Sequence, residues 1–132
     1  MSVVDALIEA LGMDIVLTGD RIPEKSRSDQ SFSGRHLPLA VIRPISIAEV
    51  SAALRICDTY RQPVVPQGGL TGLAGGANAG LGEVALSLDR LAGIEDIDLS
   101  AGTMTVLAGT VLEVAQKAAE AAGFLLPIDL GA

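Results

Sequence analysis

The sequence is poor in aromatic residues, in histidine and in cysteine. Its 132 residues include two Phe, one Tyr and no Trp, so the core has to be built from Ala, Val, Ile and Leu. Because His36 is the only histidine, a metal site that needs a histidine pair is excluded. We expect His36 to be a structural residue in a loop. The single cysteine, Cys57, excludes an internal disulfide. We therefore predict a cytoplasmic protein without a metal centre, in which Cys57 is a small core residue.

Positively charged residues are also scarce, particularly in the second half of the chain. Nine Lys and Arg are outnumbered by 16 Asp and Glu, and residues 63–132 contain only Arg90 and Lys117. The net charge of −7 argues against a nucleic-acid-binding protein, since such proteins carry basic patches. Residues 62–82 carry no charge, but their seven glycines make a membrane-spanning helix unfavourable, so we interpret them as a loop.

Residues 1–36 are predicted to form an N-terminal helix and a polar arm, ahead of a compact unit in residues 37–132. Apolar residues at helical spacing indicate a helix over residues 2–11, which Gly12 ends. Residues 18–36 are polar and interrupted by glycine and proline, which is typical of a loop. Two interpretations of this arm stay open, a surface connector and a lid over a ligand.

The compact unit begins with a strand–helix–strand pattern. Residues 39–43 are rich in apolar side chains, and Ser46 and Glu49 are spaced as a capping box at the start of a helix. We predict that this helix continues to about Tyr60 and that a buried strand follows at residues 64–65. The two strands of such a β–α–β unit should be parallel, with a right-handed crossover. The buried face of the helix is predicted to contain Ile47, Val50, Leu54 and Cys57.

Three further strand patterns follow the uncharged segment. Residues 83–88 alternate between apolar and polar side chains, as a strand does. Residues 94–98 and 103–108 indicate an antiparallel hairpin with Gly102 in its turn. The first hairpin strand carries three carboxylates, which we interpret as a solvent-exposed strand edge rather than a cation site: Glu95, Asp96 and Asp98.

The last part of the chain is predicted to contain one more helix and one more strand. Thr110 and Glu113 are spaced as a second capping box, and Gly123 ends the helix. Residues 124–126 indicate an apolar strand. The inward face of the helix is predicted to contain Val111, Val114, Ala115, Ala118 and Ala122. The whole pattern predicts an α/β (α+β) fold, a small mixed sheet with a β–α–β unit and a hairpin, covered by two helices.

A glycine-rich segment is the feature most indicative of function. Residues 66–78 read Pro-Gln-Gly-Gly-Leu-Thr-Gly-Leu-Ala-Gly-Gly-Ala-Asn and follow a predicted strand. Glycines let the backbone approach a ligand closely, and successive free N–H groups form a nest for an anion. Thr71 adds a hydroxyl donor. No Lys or Arg lies nearby in the sequence, so backbone N–H groups would hold a phosphate. A glycine-rich surface linker is the alternative.

Two common nucleotide-binding loops do not fit this segment. A P-loop requires a lysine after its glycines, and none is present. Residues 80–85 match the spacing of a dinucleotide-binding fingerprint, but they precede a predicted strand instead of joining a strand to a helix. We therefore interpret that match as chance.

Three segments, in this order, carry a resemblance to a known family. They are the strand with Pro44 and its capped helix, the stretch from Val65 to Gly76, and the final Pro-Ile-Asp-Leu-Gly-Ala of residues 127–132. Together they resemble the FAD-linked oxidases of the vanillyl-alcohol oxidase and p-cresol methylhydroxylase fold. The nearest branch is that of the D-2-hydroxyacid dehydrogenases, including D-2-hydroxyglutarate and D-lactate dehydrogenases, with glycolate oxidase beside them. The resemblance covers about residues 37–132 and implies the N-terminal part of their FAD-binding domain.

The resemblance implies that the glycine loop binds the pyrophosphate of FAD. The residues implied to contact or approach the nucleotide are Pro44, Pro66, Gln67, Gly68, Gly69, Leu70, Thr71, Gly72 and Gly76. Those implied to line the flavin side are Pro127, Asp129 and Gly131. Many relatives have arginine where Gln67 stands, and some carry a flavin-linking histidine at or near Leu70. Leucine cannot form that bond, so we expect non-covalent FAD.

The implied enzyme transfers a hydride from C2 of a D-2-hydroxy acid to the flavin. The family's catalytic residues would follow Ala132, so no catalytic residue is assigned, and we expect an inactive N-terminal fragment. Its expected partners are FAD and, in the full-length protein only, a small hydroxy acid; no nucleic acid and no membrane span are expected, and the chain could form a homo-oligomer. The alternatives are a non-catalytic nucleotide-binding or assembly module of a larger flavoprotein complex, and a structural domain without a ligand.

Overall fold

The computed structural model describes residues 1–130, which form three α-helices and two small sheets. The helices are α1 (Val3–Leu11), α2 (Ile47–Thr59) and α3 (Leu112–Ala121). The strands are β1 (Val16–Leu17), β2 (Ala40–Ile42), β3 (Val64–Gln67), β4 (Val84–Ser87), β5 (Ile94–Asp98) and β6 (Thr103–Val106). Two short 3-10 turns, Gly19–Arg21 and Glu24–Arg27, lie in the polar arm. The mixed α/β architecture predicted from the sequence is confirmed.

The larger sheet contains four strands in the order β1-β2-β4-β3. β4 pairs in parallel with both β2 and β3, and β1 pairs with β2 in the antiparallel direction. The strands of the predicted β–α–β unit are therefore parallel, with β4 between them. Because β3 and β4 run in parallel, their carboxyl ends lie at the same edge of the sheet. The glycine-rich segment after β3 is thereby placed next to the segment after β4.

Both faces of β2 and β4 are buried, which explains their uninterrupted apolar sequences. The helices α1 and α2 cover one face, where Leu7 and Cys57 pack with Ile42. The polar arm covers the other face, where its Ile22 packs with Val41. Burial raises the pKa of the Cys57 thiol, which is 2% exposed, and confirms Cys57 as a core residue.

The capping boxes predicted for α2 and α3 are only partly present. The Ser46 hydroxyl accepts a hydrogen bond from the Glu49 N–H at 3.2 Å, as predicted. A capping box also requires the Glu49 carboxylate to accept from the Ser46 N–H, but it accepts from the Ile45 N–H at 2.7 Å, so this half of the prediction is wrong. The capping box before α3 is also wrong. The Thr110 hydroxyl bonds to the carbonyl oxygens of Gly93 and Leu107, and α3 begins after Val111 without a side-chain cap.

The predicted buried faces of α2 and α3 need correction. Four of the large side chains assigned to them are mainly exposed: Ile47 at 64%, Leu54 at 44%, Val111 at 62% and Val114 at 50%. Of the predicted residues, Cys57 in α2 and Ala115 in α3 are confirmed as buried, and the other buried positions, Ala53 and Ala119, are also small residues. Small side chains allow a helix backbone to approach its neighbour closely. Apolar periodicity alone does not reveal this choice, because it weights large side chains most heavily.

Among the described residues, the C-terminal part confirms one strand prediction and contradicts another. β5 and β6 form the predicted antiparallel hairpin, with Gly102 in the left-handed region at φ +65°. The strand predicted at residues 124–126 is not formed. The Phe124 N–H instead donates to the Ala119 carbonyl at 2.9 Å and closes the end of α3. Leu125 is consequently 84% exposed.

Candidate cofactor-binding site

A cleft of about 690 Å³ lies at the carboxyl ends of β3 and β4. Ligands of α/β proteins commonly bind at this edge of a parallel sheet. Gly68–Thr71 form one wall directly after β3, Asp89 follows β4, and the loop before α3 forms the opposite wall with the first turns of that helix. The residues lining the cleft are Lys25, Gly68, Gly69, Leu70, Thr71, Asp89, Ala108, Gly109, Thr110, Val111, Leu112, Glu113, Gln116, Asp129 and Leu130.

The backbone N–H groups of residues 68–72 are available to a ligand. Within residues 1–130, none of these groups donates to a protein oxygen. Leu70 has a left-handed φ of +59°, a conformation that occurs in the turns that form backbone anion nests. A Cβ on Gly68 would meet no atom within 4 Å, so this wall is open backbone. The arrangement fits a phosphate or diphosphate, whose oxygens accept several N–H groups at once.

Three charged side chains meet at the edge of the cleft. Lys25 Nζ donates to Asp89 Oδ2 at 3.0 Å, and Arg43 donates to both oxygens of the same carboxylate, at 3.2 and 2.7 Å. Partial burial opposes ionisation of Asp89, but hydrogen bonds from Arg43, Ser87 and Lys25 hold its pKa well below its usual range. Arg43 alone is sufficient to neutralise the Asp89 carboxylate. The Lys25 side chain, which is 59% exposed, can therefore leave Asp89 and contact an anion in the cleft.

The structure brings five of the twelve predicted cofactor residues to the cleft wall: Gly68, Gly69, Leu70, Thr71 and Asp129. Six others do not line it: Pro44, Pro66, Gln67, Gly72, Gly76 and Pro127. Gly131 lies outside the described residues. The contacts of all twelve with a cofactor remain a prediction.

The side chain of Gln67 is turned away from the cleft and into the protein. Its Nε2 donates to the carbonyl oxygens of Ser26 and Ala77, each at 2.9 Å, and the residue is 1% exposed. The Gln67 carbonyl accepts from the Leu88 N–H at 2.9 Å and extends the pairing of β3 with β4. Gln67 therefore fixes the start of the glycine segment, and only its backbone lies near the proposed phosphate position.

Sequence reasoning missed two residues of the polar arm that act at or near this cleft. Lys25 lines the cleft, although it lies 64 residues from Asp89 along the chain. Asp29 accepts a hydrogen bond from the Gly75 N–H at 2.9 Å, within the glycine segment. The only available signal was the polar composition of the arm, which is equally typical of a connector.

The other chemistry-bearing residues lie away from the cleft. His36 is exposed, and Glu95, Asp96 and Asp98 are exposed along β5. In the part of the chain that the structure describes, no group of three or more His, Cys, Asp or Glu is placed to hold a metal ion. No helix in this part is long and apolar enough to cross a membrane.

Comparison with known families identifies the cofactor. The model of the family described as FAD binding domain matches residues 38–132. A D-2-hydroxyglutarate dehydrogenase of Xanthomonas citri pv. viticola is 44% identical over 95 residues, which are 72% of this chain and 20% of that protein. A probable mitochondrial D-lactate dehydrogenase of Danio rerio is 32% identical over 130 residues, 98% of this chain and 26% of that protein. The chain thus spans about a fifth to a quarter of these curated relatives.

Solved structures show the same fold. An alkyldihydroxyacetonephosphate synthase superposes with a TM-score of 0.82 at 15% identity, over 96% of this chain and 26% of that one. A p-cresol methylhydroxylase superposes with a TM-score of 0.74 at 22% identity, over 97% of this chain and 25% of that one. The cleft beside the glycine segment fits the diphosphate of a dinucleotide. The chain belongs to the family of FAD binding domains, and FAD is its cofactor.

Proposed function

We propose that this chain is the FAD-binding portion of a larger flavin-dependent dehydrogenase or oxidase that acts on a D-2-hydroxy acid. The proposal is supported by the 44% identity to a relative named D-2-hydroxyglutarate dehydrogenase and by further relatives named D-lactate dehydrogenase. Glycolate, the achiral two-carbon 2-hydroxy acid, is included among the proposed substrates. A non-catalytic binding or assembly module is not favoured, because these relatives carry the names of enzymes.

The glycine segment is proposed to hold the FAD pyrophosphate. The observation that carries this proposal is the run of backbone N–H groups at residues 68–71, which have no protein acceptor within residues 1–130 and border the cleft. Lys25 is proposed to supply the positive charge that the local sequence lacks. Pro127, Asp129 and Gly131 are proposed to approach the flavin end.

Bound FAD would supply the redox chemistry, by accepting a hydride from the substrate. This chain's own residues would bind and orient the dinucleotide, and none of them is assigned a catalytic role. Leu70 has a hydrocarbon side chain that cannot bond to a flavin, so we propose that the FAD is non-covalent at this position. We further propose that a domain boundary lies between residues 36 and 37, that the protein is cytoplasmic and that it forms a homo-oligomer.

A Gly69→Asp variant tests the pyrophosphate site. A Cβ on Gly69 would meet only the Thr71 methyl group, at 3.9 Å, so the substitution fits the apo protein. A carboxylate about 4 Å from a phosphate costs about 1–4 kcal/mol in a wet site, so we expect FAD binding to weaken at least about tenfold. Gly82→Asp is the matched control, because it adds the same charge at an exposed glycine away from the cleft.

Flavin fluorescence quenching measures both dissociation constants. Equal weakening by the two variants would contradict a pyrophosphate site at residues 68–72, and so would wild-type protein that binds no FAD at millimolar concentration. The isolated chain is expected to reduce no dye when D-lactate or D-2-hydroxyglutarate is added with FAD. Dye reduction would contradict the proposal that the catalytic groups lie outside this chain.

A further inference from the structure

Residues 26–33 of the polar arm are hydrogen-bonded to the glycine segment at several points. The Ser26 carbonyl accepts from Gln67 Nε2 at 2.9 Å, at the start of that segment. The Gln30 N–H donates to the Gly72 carbonyl at 3.0 Å, near its middle. The arm therefore holds the segment through other atoms, while the N–H groups of residues 68–71 stay available to the cleft.

Asp29 is the centre of this attachment. Its Oδ2 accepts from the Gly75 N–H at 2.9 Å, its Oδ1 accepts from the Ser31 N–H at 2.9 Å, and its own N–H donates to Asn78 Oδ1 at 2.6 Å. The residue is 2% exposed. Hydrogen bonds from Ser31, and then from the Gly75 N–H, lower the pKa of Asp29, although desolvation opposes this. The carboxylate is therefore ionised at neutral pH and accepts hydrogen bonds only.

No cation pairs with Asp29 within residues 1–130, so backbone and side-chain donors alone stabilise its charge. A buried carboxylate close to a phosphate site is electrostatically unfavourable for binding an anion. Hydrophobic packing would have avoided this repulsion. The repulsion has to be offset by a favourable effect of Asp29, and we attribute that effect to the ordering of the glycine segment.

The bond to Gly75 lies at a position of the glycine segment that tolerates no side chain. Gly75 has a left-handed φ of +79°, and a Cβ there would clash with the Ser33 hydroxyl. The backbone is thus fixed at Gln67, at Gly72 and at Gly75, and residues 68–71 span the first two of these points. Fixing a loop before a ligand arrives removes ordering entropy from the binding step.

We propose that Asp29 is a positioning residue for the FAD site. By holding the Gly75 N–H and the adjoining backbone, it keeps the N–H groups of residues 68–71 directed at the pyrophosphate. This inference rests on the proposed function of the glycine segment. Asp29 lies ahead of residues 38–132, the range matched by the family model, so that model does not contain it.

Two variants of the 132-residue chain test the proposal. Asp29→Ala removes all acceptors of the side chain, and Asp29→Asn keeps one carbonyl oxygen for the Gly75 or the Ser31 N–H. We expect FAD binding to weaken about tenfold in Asp29→Ala and by a smaller factor in Asp29→Asn, with the Asn variant showing partial rescue. Asp20→Ala is the control, because Asp20 is an exposed carboxylate of the same arm without a hydrogen bond to the glycine segment.

Amide hydrogen exchange separates positioning from general stability. Asp29→Ala should speed exchange at Gly75 and Asn78 while leaving the amides of β2 and β4 unchanged. Faster exchange in all of these elements together would mean a general loss of stability and would overturn the positioning role. Faster exchange at Gly75 with FAD affinity within twofold of wild type would overturn it as well. If Asp29→Ala fails to fold, Asp29→Asn supplies the same two measurements.

FAD binding by the wild-type protein distinguishes failure of the proposed function from failure of the role of Asp29. Wild-type chain that binds no FAD would overturn the proposed function and the role of Asp29 with it. Wild-type binding that Gly69→Asp weakens and Asp29→Ala leaves unchanged would overturn only the positioning role.

Discussion

The buried amide of Gln67 allows a sharp test of how the glycine segment is anchored. Gln67→Met keeps the length and most of the volume of the side chain but removes both donors. The carbonyl oxygens of Ser26 and Ala77, each 2.9 Å from Nε2, would lose that partner in a site that is 1% exposed. The substitution also removes Oε1, a buried oxygen without a partner among the described residues.

The size of the effect follows from these three atoms. Each carbonyl that loses its donor costs about 1–1.5 kcal/mol, and removal of the unpaired Oε1 restores about 1 kcal/mol. The net loss in the free energy of unfolding is therefore about 1–2 kcal/mol. With an unfolding entropy of about 2.1 cal/mol/K per residue, this corresponds to a decrease in Tm of roughly 4–7 °C.

The chain contains a matched control for this measurement. Gln62 Nε2 also donates to two carbonyl oxygens, those of Pro63 at 3.0 Å and Gly82 at 2.8 Å, but near the surface. Water can replace those bonds, so Gln62→Met should cost less than about 0.5 kcal/mol. Urea unfolding of the two variants at equal m values gives the comparison. Equal losses would refute the reasoning, because burial would then contribute nothing to the role of Gln67.

Two further predictions concern the edge of the cleft. A Cβ on Gly109 would overlap the backbone carbonyl of Leu88, so Gly109→Ala should lower the free energy of unfolding by at least about 3 kcal/mol; Gly82→Ala, with open space around it, should be within about 1 kcal/mol of wild type in the same melt. Asp89→Asn should destabilise the protein by about 1–3 kcal/mol at pH 7, since two charge-assisted bonds from Arg43 are weakened. Because the folded pKa of Asp89 is depressed, this stabilisation is complete above the unfolded pKa of about 4 and decreases as the pH falls below it. A difference between Asp89→Asn and wild type that grows towards acid pH would contradict this sign.

Local sequence signals predicted most of the secondary structure. Ser46 is the N-cap of α2 because its hydroxyl reaches an N–H three residues away, and Gly102 is in the hairpin turn because its φ is positive. Each of these features depends on a few neighbouring residues. The prediction at residues 124–126 failed for a different reason. An apolar run becomes a strand only when another strand pairs with it, and the Phe124 N–H is used to end α3 instead.

Some residues of the candidate site could not be predicted, because they reach it through contacts between distant parts of the chain. The glycine segment was recognisable, but the cation at its cleft was not, because Lys25 reaches Asp89 across 64 residues. Asp29 reaches Gly75 across 46 residues. Both residues belong to a polar arm whose composition predicts a loop and nothing more. A loop with few apolar residues can still be ordered when buried hydrogen bonds replace a hydrophobic core.

The glycine segment therefore combines two physical requirements that its sequence does not distinguish. Gly69 lies beside open space, and its missing side chain leaves backbone N–H groups accessible from the cleft. Gly75 has a left-handed backbone and lies against Ser33. The absence of a side chain at Gly75 therefore lets the segment pack closely against the arm. An anion site made of N–H groups has no side chains to hold its own shape, because glycine contributes flexibility. Rigidity has to come from other groups, and here the buried carboxylate of Asp29 and the buried amide of Gln67, neither of which lines the cleft, supply it.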